Sequence, residues 1–434
     1  MKIGIIGIGN VGLQVLKDTQ LNGKINKFLS IEKILVRNQD KYLKILESEF
    51  GSKSLLLEKL TDDFNNFINS DIDTVIELIG GSDPAKDYVL SALNSGKNVV
   101  TANKEIVANS IEELTSVAHS NKVKIRFEAA VGAGIPLIGV LIDMLEQNNI
   151  SKITGIINGT SNYILSSMYG SNKSFDESLK EAQNLGFAES DPTNDIGGFD
   201  AMYKVCILGS IAFGAKVPIE SVSVKGIGNL SQKDIKYSKE LGFVIKLLAV
   251  TENKSSRIYS NVAPYLVPEN HPLAKVSDNY NAVEINGDLI GNLWLQGQGA
   301  GKLSTTSAVI GDLVGIKKNT SGNLMLDQKK LNFLSDDETI GKKYIRLNVE
   351  DKFGVLEKIA GIFSINKVSI ASVIQKEVDN KGLADLVIMT HESLGSNLNN
   401  ALAEIGRLDF IQENPTTYEI YELWMELLKI IKNL

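Results

Sequence analysis

The sequence predicts an α/β protein: a doubly wound parallel sheet first, then an α+β region, then a small βαββαβ unit. Three observations carry this. Strand-like and helical stretches alternate through the first 130 residues, the pattern changes near residue 136, and a second strand–helix–strand series starts near residue 342. A chain of 434 residues is long enough for two or three separate cores.

In order, strands are expected at 2–6, 31–36, 73–79, 97–100 and 123–127, with helices near 11–21, 39–50, 84–95 and 103–120. Strands separated by helices imply right-handed βαβ units and a parallel sheet. Glu128-Ala-Ala-Val-Gly-Ala-Gly-Ile-Pro136 is a run of small residues that suits a crossover between domains. Beyond it, helices are expected at 137–147, 160–170, 174–185 and 198–213, and β-rich runs at 152–157, 243–251, 257–265 and 289–296. A helix starting in 297–316 is expected to return to the first unit, and the polar stretch 317–341 reads as a linker. In the last unit Tyr344–Val349 alternates, Gly354–Phe363 is helical, and 368–374 and 383–389 read as strands. Tyr418–Leu434 is apolar at helical spacing, the pattern of a packing or oligomer helix. The expected units are thus 1–135 (joined by 297–316), 136–316, the linker 317–341, and 342–434.

A hydrophobic content of 43 % and a charged content of 22 % belong to an ordinary soluble protein. The net charge of −7 argues against nucleic acid or an anionic membrane as partner. The sequence contains neither a signal-peptide pattern nor an apolar run of about 18 residues, so a cytoplasmic setting is expected. Cys206 is the single cysteine, which rules out an internal disulfide and a thiolate zinc cage; His119, His271 and His391 have no ligand spacing.

The first strand runs straight into Gly7-Ile8-Gly9-Asn10-Val11-Gly12 and a helix. Gly7 allows the tight turn, Gly9 admits a pyrophosphate close to the main chain, and Gly12 lets helix pack on strand, so the phosphates meet free N–H groups at the helix start. An acid usually ends the second strand of such folds to hold the NAD ribose; here Arg37 stands there, and Glu32 lies at the strand's beginning. A guanidinium suits a 2′-phosphate, which points to NADP over NAD.

Glu189, Asp191, Asp195 and Asp200 crowd a loop that leads into the apolar helix Val205–Phe213. Asp200 and Lys204, four apart, share one helix face. Alone they would be an exposed pair worth roughly 0.3–0.5 kcal/mol. Together, four carboxylates beside an apolar helix make a receptor for a substrate ammonium, and a lysine there can pass a proton to or from an oxygen during hydride transfer. Neighbouring carboxylates raise a lysine's pKa, however, and a base working near neutrality needs it lowered by burial or a second cation. Lys104, in Thr101-Ala-Asn-Lys104 past the fourth strand's carboxyl end, can supply that cation or act directly. Cys206 has no basic neighbour but Lys204, so it reads as a buried structural thiol and not as a thioester-forming nucleophile.

These segments, with Ile157-Asn-Gly-Thr-Ser-Asn-Tyr163, Gly186-Phe-Ala-Glu-Ser-Asp-Pro-Thr193 and Gly297-Gln-Gly-Ala-Gly301, resemble the homoserine dehydrogenase family in family order over 1–316. The resemblance implies reversible NAD(P)-dependent hydride transfer between L-homoserine and L-aspartate 4-semialdehyde, in the biosynthesis of threonine, methionine and isoleucine. It implies Lys204 as proton-transfer residue, Lys104 as second functional lysine, Glu189 on the substrate's amino group, and Asp195 and Asp200 shaping the site. Cofactor contacts would come from Gly7 to Gly12, Arg37, Gly80, Thr101, Lys104, Gly299 and Gly301. Glu128 with the main-chain oxygens of Val131, Ala133 and Ile135 matches the family's sodium site, and a homodimer or homotetramer is implied. Gln298, Ser190 and Gly197 depart from the common pattern without touching a reacting group.

Leu347-Asn-Val-Glu-Asp351, Gly354-Val-Leu356 and Asn366-Lys-Val-Ser-Ile370 resemble an ACT domain, a module that often binds amino acids. Phe353 and Lys367 replace the usual proline and a loop glycine, so threonine feedback and a purely dimerising role both stand open. A related amino-acid or hydroxy-acid dehydrogenase and a sensor without catalysis are the alternatives, and the intact Lys104, Glu189, Asp200 and Lys204 argue against the sensor.

Overall fold

The computed structural model describes residues 1–320, 324–326, 330–376 and 382–421. It begins β1 (Lys2–Ile6), α1 (Asn10–Leu21), β2 (Ser30–Leu35), α2 (Gln39–Phe50), β3 (Leu60–Thr61), α3 (Phe64–Ile68), β4 (Thr74–Glu77), α4 (Ala85–Asn94), β5 (Asn98–Thr101), α5 (Lys104–Ser120) and β6 (Ile125–Arg126). The six strands form one parallel sheet in the order β3-β2-β1-β4-β5-β6. Helices cover both faces, which is why β1 is apolar almost throughout and β4 is wholly buried. The strand order reverses between β1 and β4, and ligands of such sheets bind there, beyond the strands' carboxyl ends. The two-residue β3 and the single turn α3 were not expected; both are too short to show periodicity.

The middle of the chain contains α6 (Ile138–Met144), β7 (Ile150–Ile156), α7 (Gly159–Ser171), α8 (Phe175–Asn184), α9 (Thr193–Ile196), α10 (Phe199–Phe213), β8 (Ser223–Val224) and α11 (Gln232–Glu240). Next come β9 (Phe243–Lys254), β10 (Arg257–Pro268), β11 (Tyr280–Gly287), β12 (Gly291–Gln298) and α12 (Lys302–Lys318). α12 leaves this region and packs on α1, putting Val309 and Leu313 into one core with Ile3, Ile5, Leu16 and Ile76. Strand β11 was missed because Asn281, Glu284 and Asn286, buried on its two faces, interrupt the apolar pattern. α11 was missed because six of its nine residues (Gln-Lys-Asp-Ile-Lys-Tyr-Ser-Lys-Glu) are charged or amide side chains.

The chain closes with β13 (Asn332–Phe333), β14 (Ile340–Gly341), β15 (Lys343–Glu350), α13 (Val355–Ile365), β16 (Ile370–Gln375), β17 (Leu383–Thr390), β18 (Ser393–Leu394), α14 (Gly395–Ile405) and β19 (Thr416–Ile420). Strands β15, β16, β17 and β19 make the expected βαββαβ unit, in the order β19-β15-β17-β16. Its sheet is not separate. β19 pairs in parallel with β10, so one mixed sheet runs β12-β11-β7-β9-β10-β19-β15-β17-β16 through both units.

The stretch 317–341, expected as a linker, packs against its surroundings in its described part. Asn332–Phe333 pairs with β10, Leu326 and Leu334 are buried, and Asp336 accepts hydrogen bonds from Ser223 and Tyr259 at 2.6 and 2.9 Å. The tail expected as a helix from Tyr418 begins instead as strand, with Tyr418–Ile420 in β19; 422–434 lie outside the described residues.

Candidate active site

Helix α10 starts after Gly198, whose φ of +85° lets the chain turn sharply into it. Val205, Cys206, Ile207 and Leu208 are each 1 % exposed or less, so α10 runs through the core. Its first two turns therefore carry Asp200 and Lys204 into a low-dielectric place, with 4 % and 8 % exposure. Asp200 is the hub. One carboxylate oxygen takes the Lys104 ammonium; the other takes Lys204 Nζ at 2.8 Å and Asn158 Nδ2 at 2.9 Å. Burial alone would raise this carboxyl, but the Lys204 and Lys104 charges hold it well below the usual carboxylate range. Lys104 feels the converse: burial pulls it down, and the Asp200 carboxylate more than offsets this, so its net shift is upward.

Lys204 also donates to the Ile157 carbonyl at 2.8 Å. An ammonium has three N–H groups, and these two bonds leave one for the cleft. Asn158 places the rest. It caps α7, accepting from the Ser161 amide at 2.8 Å, and its Nδ2 bridges Asp195 (2.7 Å) and Asp200. Burial lifts the Asp195 carboxyl, opposed by the Asn158 bond and aided by the Asp200 charge. Lys104 stands at the start of α5, capped by Asn103, which also binds the Ile79 and Gly81 carbonyls at 3.0 and 2.7 Å. Glu77, at the end of β4, is fully buried against Thr101, and burial pushes it up to about 7.

Lys104, Val131, Ala133, Asp195, Asp200, Lys204, Gly299 and Gly301 line one cleft of about 500 Å³, joined by Asn158–Thr160, Leu185–Phe187 and Asn279. Thr101 is buried behind it. Glu189 is exposed and does not line this cleft. Asp191 spends its carboxylate on Thr193. Residues 7–12 form the β1–α1 turn: Gly7 has φ +87°, and a Cβ on Gly12 would sit 2.4 Å from the Gly7 carbonyl. Nothing lies within 4 Å of a Cβ built on Gly9 or Gly80. Helix α1 has no side-chain cap and no acid in its first turn, so no side chain of its own competes for the amides at its start. Arg37 is exposed just past β2 and has no ion-pair partner among the described residues, whereas Glu32 is engaged with Ser30 and Lys59.

Glu128 does structural work at the junction of the two sheets. Its carboxylate accepts the Leu137, Ile138 and Gly139 amides at 2.6–2.8 Å, and its own amide donates to Asp312 on α12. The carbonyls of Val131, Ala133 and Ile135, in the buried turn beside it, accept no backbone hydrogen bond among the described residues. Nor do the described residues contain a cluster of three His, Cys, Asp or Glu arranged for a metal ion. Cys206 is buried and its thiol is pushed up to about 12 by desolvation, which leaves it inert as a nucleophile.

Residues 7–128 match the family model described as homoserine dehydrogenase, NAD binding domain, and 136–314 match the model for homoserine dehydrogenase. A homoserine dehydrogenase of Bacillus subtilis is 36 % identical over 432 residues, covering 97 % of this chain and 98 % of the relative. The chain belongs to the homoserine dehydrogenase family. It is an oxidoreductase of that family, and residues 343–410 add an ACT domain. A solved homoserine dehydrogenase from Thiobacillus denitrificans superposes with a TM-score of 0.89 at 36 % identity, covering 97 % of this chain and 98 % of that one. A hyperthermophilic archaeal homoserine dehydrogenase in complex with NADPH matches at a TM-score of 0.63 and 28 % identity, covering 74 % of this chain and 99 % of that one. No helix among the described residues is long and apolar enough to cross a membrane. Sequence reasoning quoted Asn158 within a motif without giving it a role. The Asn-Gly-Thr-Ser run ahead of a helix was the available signal, since it reads as an N-cap.

Proposed function

We propose that this cleft interconverts L-homoserine and L-aspartate 4-semialdehyde, with Lys204 moving the proton. The arrangement that carries this reading is Asp200 held between two ammonium groups, one of which keeps an N–H free toward the cavity. When bound, the nicotinamide gives or takes the hydride. Lys204 donates a proton to the semialdehyde oxygen as it becomes a hydroxyl, and withdraws it in the reverse direction. Asp200 has both oxygens engaged, so it orients the lysines and stabilises their charge; it is not a free base. Asp195, partly buried on the same wall, is the better placed carboxylate for the substrate ammonium, with the exposed Glu189 a few residues away in the same loop as the second candidate.

The dinucleotide would lie on Gly7–Gly12 and beside Gly80, Thr101, Lys104, Gly299 and Gly301. The uncapped start of α1 supports a pyrophosphate there, and the unpartnered Arg37 supports NADP over NAD. A sodium ion would take the free carbonyls of Val131, Ala133 and Ile135; the adjacent Glu128 supplies a carboxylate with coordination capacity left on Oε2. Such hard oxygen donors suit a hard cation. The ACT domain is read as the seat of an amino-acid effector, threonine first, in a cytoplasmic homo-oligomer serving threonine, methionine and isoleucine synthesis.

Absorbance at 340 nm with homoserine and either cofactor tests the reading. Homoserine-dependent NAD(P)H formation that rises toward alkaline pH supports it; none would refute it. Threonine should shift activity or melting temperature, and a shift in neither removes the effector.

A further inference from the structure

A second buried lysine lies behind the cleft. Lys246, on β9, is 3 % exposed, and none of its hydrogen bonds goes to a carboxylate: Nζ donates to Asn162 Oδ1 at 3.0 Å and to the Val276 carbonyl at 2.5 Å. Burial pushes its pKa down to about 8, with the Asp278 charge offsetting part of that. Buried ammonium groups are costly, and an apolar side chain of this size would suit the surrounding core better on stability alone.

What the ammonium holds is specific. Asn162, itself 1 % exposed, lies on α7 one turn beyond Gly159 and Thr160, which line the cleft. Its amide nitrogen donates to the Val276 and Tyr280 carbonyls at 3.3 and 3.0 Å, and Ser166 of the same helix accepts from the Asp278 amide at 3.2 Å. The segment tied down in this way contains Asp278 at φ +56°, a conformation L residues rarely adopt, and Asn279, which lines the cleft opposite Gly159. The two walls touch: a Cβ on Gly159 would come within 2.8 Å of the Asn279 carbonyl.

We infer that Lys246 is a positioning residue of the reaction, stapling the 276–281 segment to α7 so that the substrate side of the cleft keeps its working shape. This rests on the assignment of the cleft given above. Lys246 touches no reacting atom. It acts through Asn162 and the main chain, on the wall facing the substrate and not on the cofactor's sheet.

Lys246→Met and Asn162→Leu test it in the full-length enzyme. Each is expected to raise KM for homoserine and lower kcat/KM by about 10- to 100-fold, the scale of a small misplacement, while the Kd of NADPH stays unchanged. The double variant should be no worse than either single one, because both cut the same staple. Hydrogen exchange should quicken at the Val276, Asp278 and Tyr280 amides and not across the parallel sheet. Unchanged exchange at those amides in either variant, or an equal loss of NADPH affinity, overturns the inference. Should the unsubstituted protein turn over no homoserine, the cleft assignment falls, and the exchange measurement still decides the staple. If one variant does not fold, the other carries the same reading.

Discussion

Among the described residues, two buried ionic clusters invite comparison, one at the cleft and one at the seam with the ACT domain. At the seam, Arg346 of β15 grips Asp234 of α11 at 2.7 and 3.3 Å, Tyr418 donates to the same carboxylate, and Ser231 closes a capping box on it. Asp385 takes Tyr237, Asn348 and Lys233 at 2.9–3.0 Å. Most donors and acceptors there are spent on one another, with Asp234 fully buried, although the Tyr344 hydroxyl beside it is buried without a hydrogen-bond partner among the described residues. At the cleft, Asp200 is equally well satisfied, but Lys204 retains an N–H and the cluster opens on a cavity. A closed cluster holds elements together; an open one is poised to bind and react.

Cutting the open cluster should have the largest effect. Lys204→Ala is expected to lower kcat by at least about 10²–10⁴-fold, the usual worth of a positioned proton donor, with NADPH affinity nearly intact; retained turnover would return Lys204 to a structural role. The closed cluster should answer in stability. Arg346→Met leaves Asp234 buried without its cation, and a loss of about 3–5 kcal/mol is expected in denaturant unfolding. A variant as stable as the parent would mean that the seam is wet and weak. Arg37 belongs with the open groups, as a cation lacking a partner. Arg37→Ala should weaken NADP by about 1.5–3 kcal/mol and NAD hardly at all, measured as separate Kd values. Equal effects would make it an ordinary surface charge.

The difference between the clusters also explains what the sequence made legible. The first sheet could be read because β1 is apolar almost throughout, β4 and β5 each centre on a buried apolar pair, and Gly7, Gly9 and Gly12 answer to one backbone geometry. Asp195, Asp200 and Lys204 could be singled out because charges beside the apolar run of α10 conflict with burial unless they have a purpose, and Lys104 because it follows a strand's carboxyl end, where ligands of open sheets bind. The seam was invisible. Arg346 sits in an alternating strand, Asp234 in a charged helix, and only long-range folding brings them together. Lys246 was hidden likewise in Phe243–Lys254, where one lysine among apolar residues looks like a strand's exposed face. The crowding of acids in one loop does not reveal that Glu189 is exposed while Asp195 lines the cleft.

The pairing of β10 with β19 has a mechanical side. Across consecutive strands, Lys246 lies opposite Tyr265, Tyr265 opposite Glu419, and Glu419 opposite Lys343. A single row of peptide groups thus spans from the first strand of the carboxy-terminal module to the buried Lys246 behind the cleft. A shift of that module along the sheet would have to break hydrogen bonds of this ladder or move Lys246 with it.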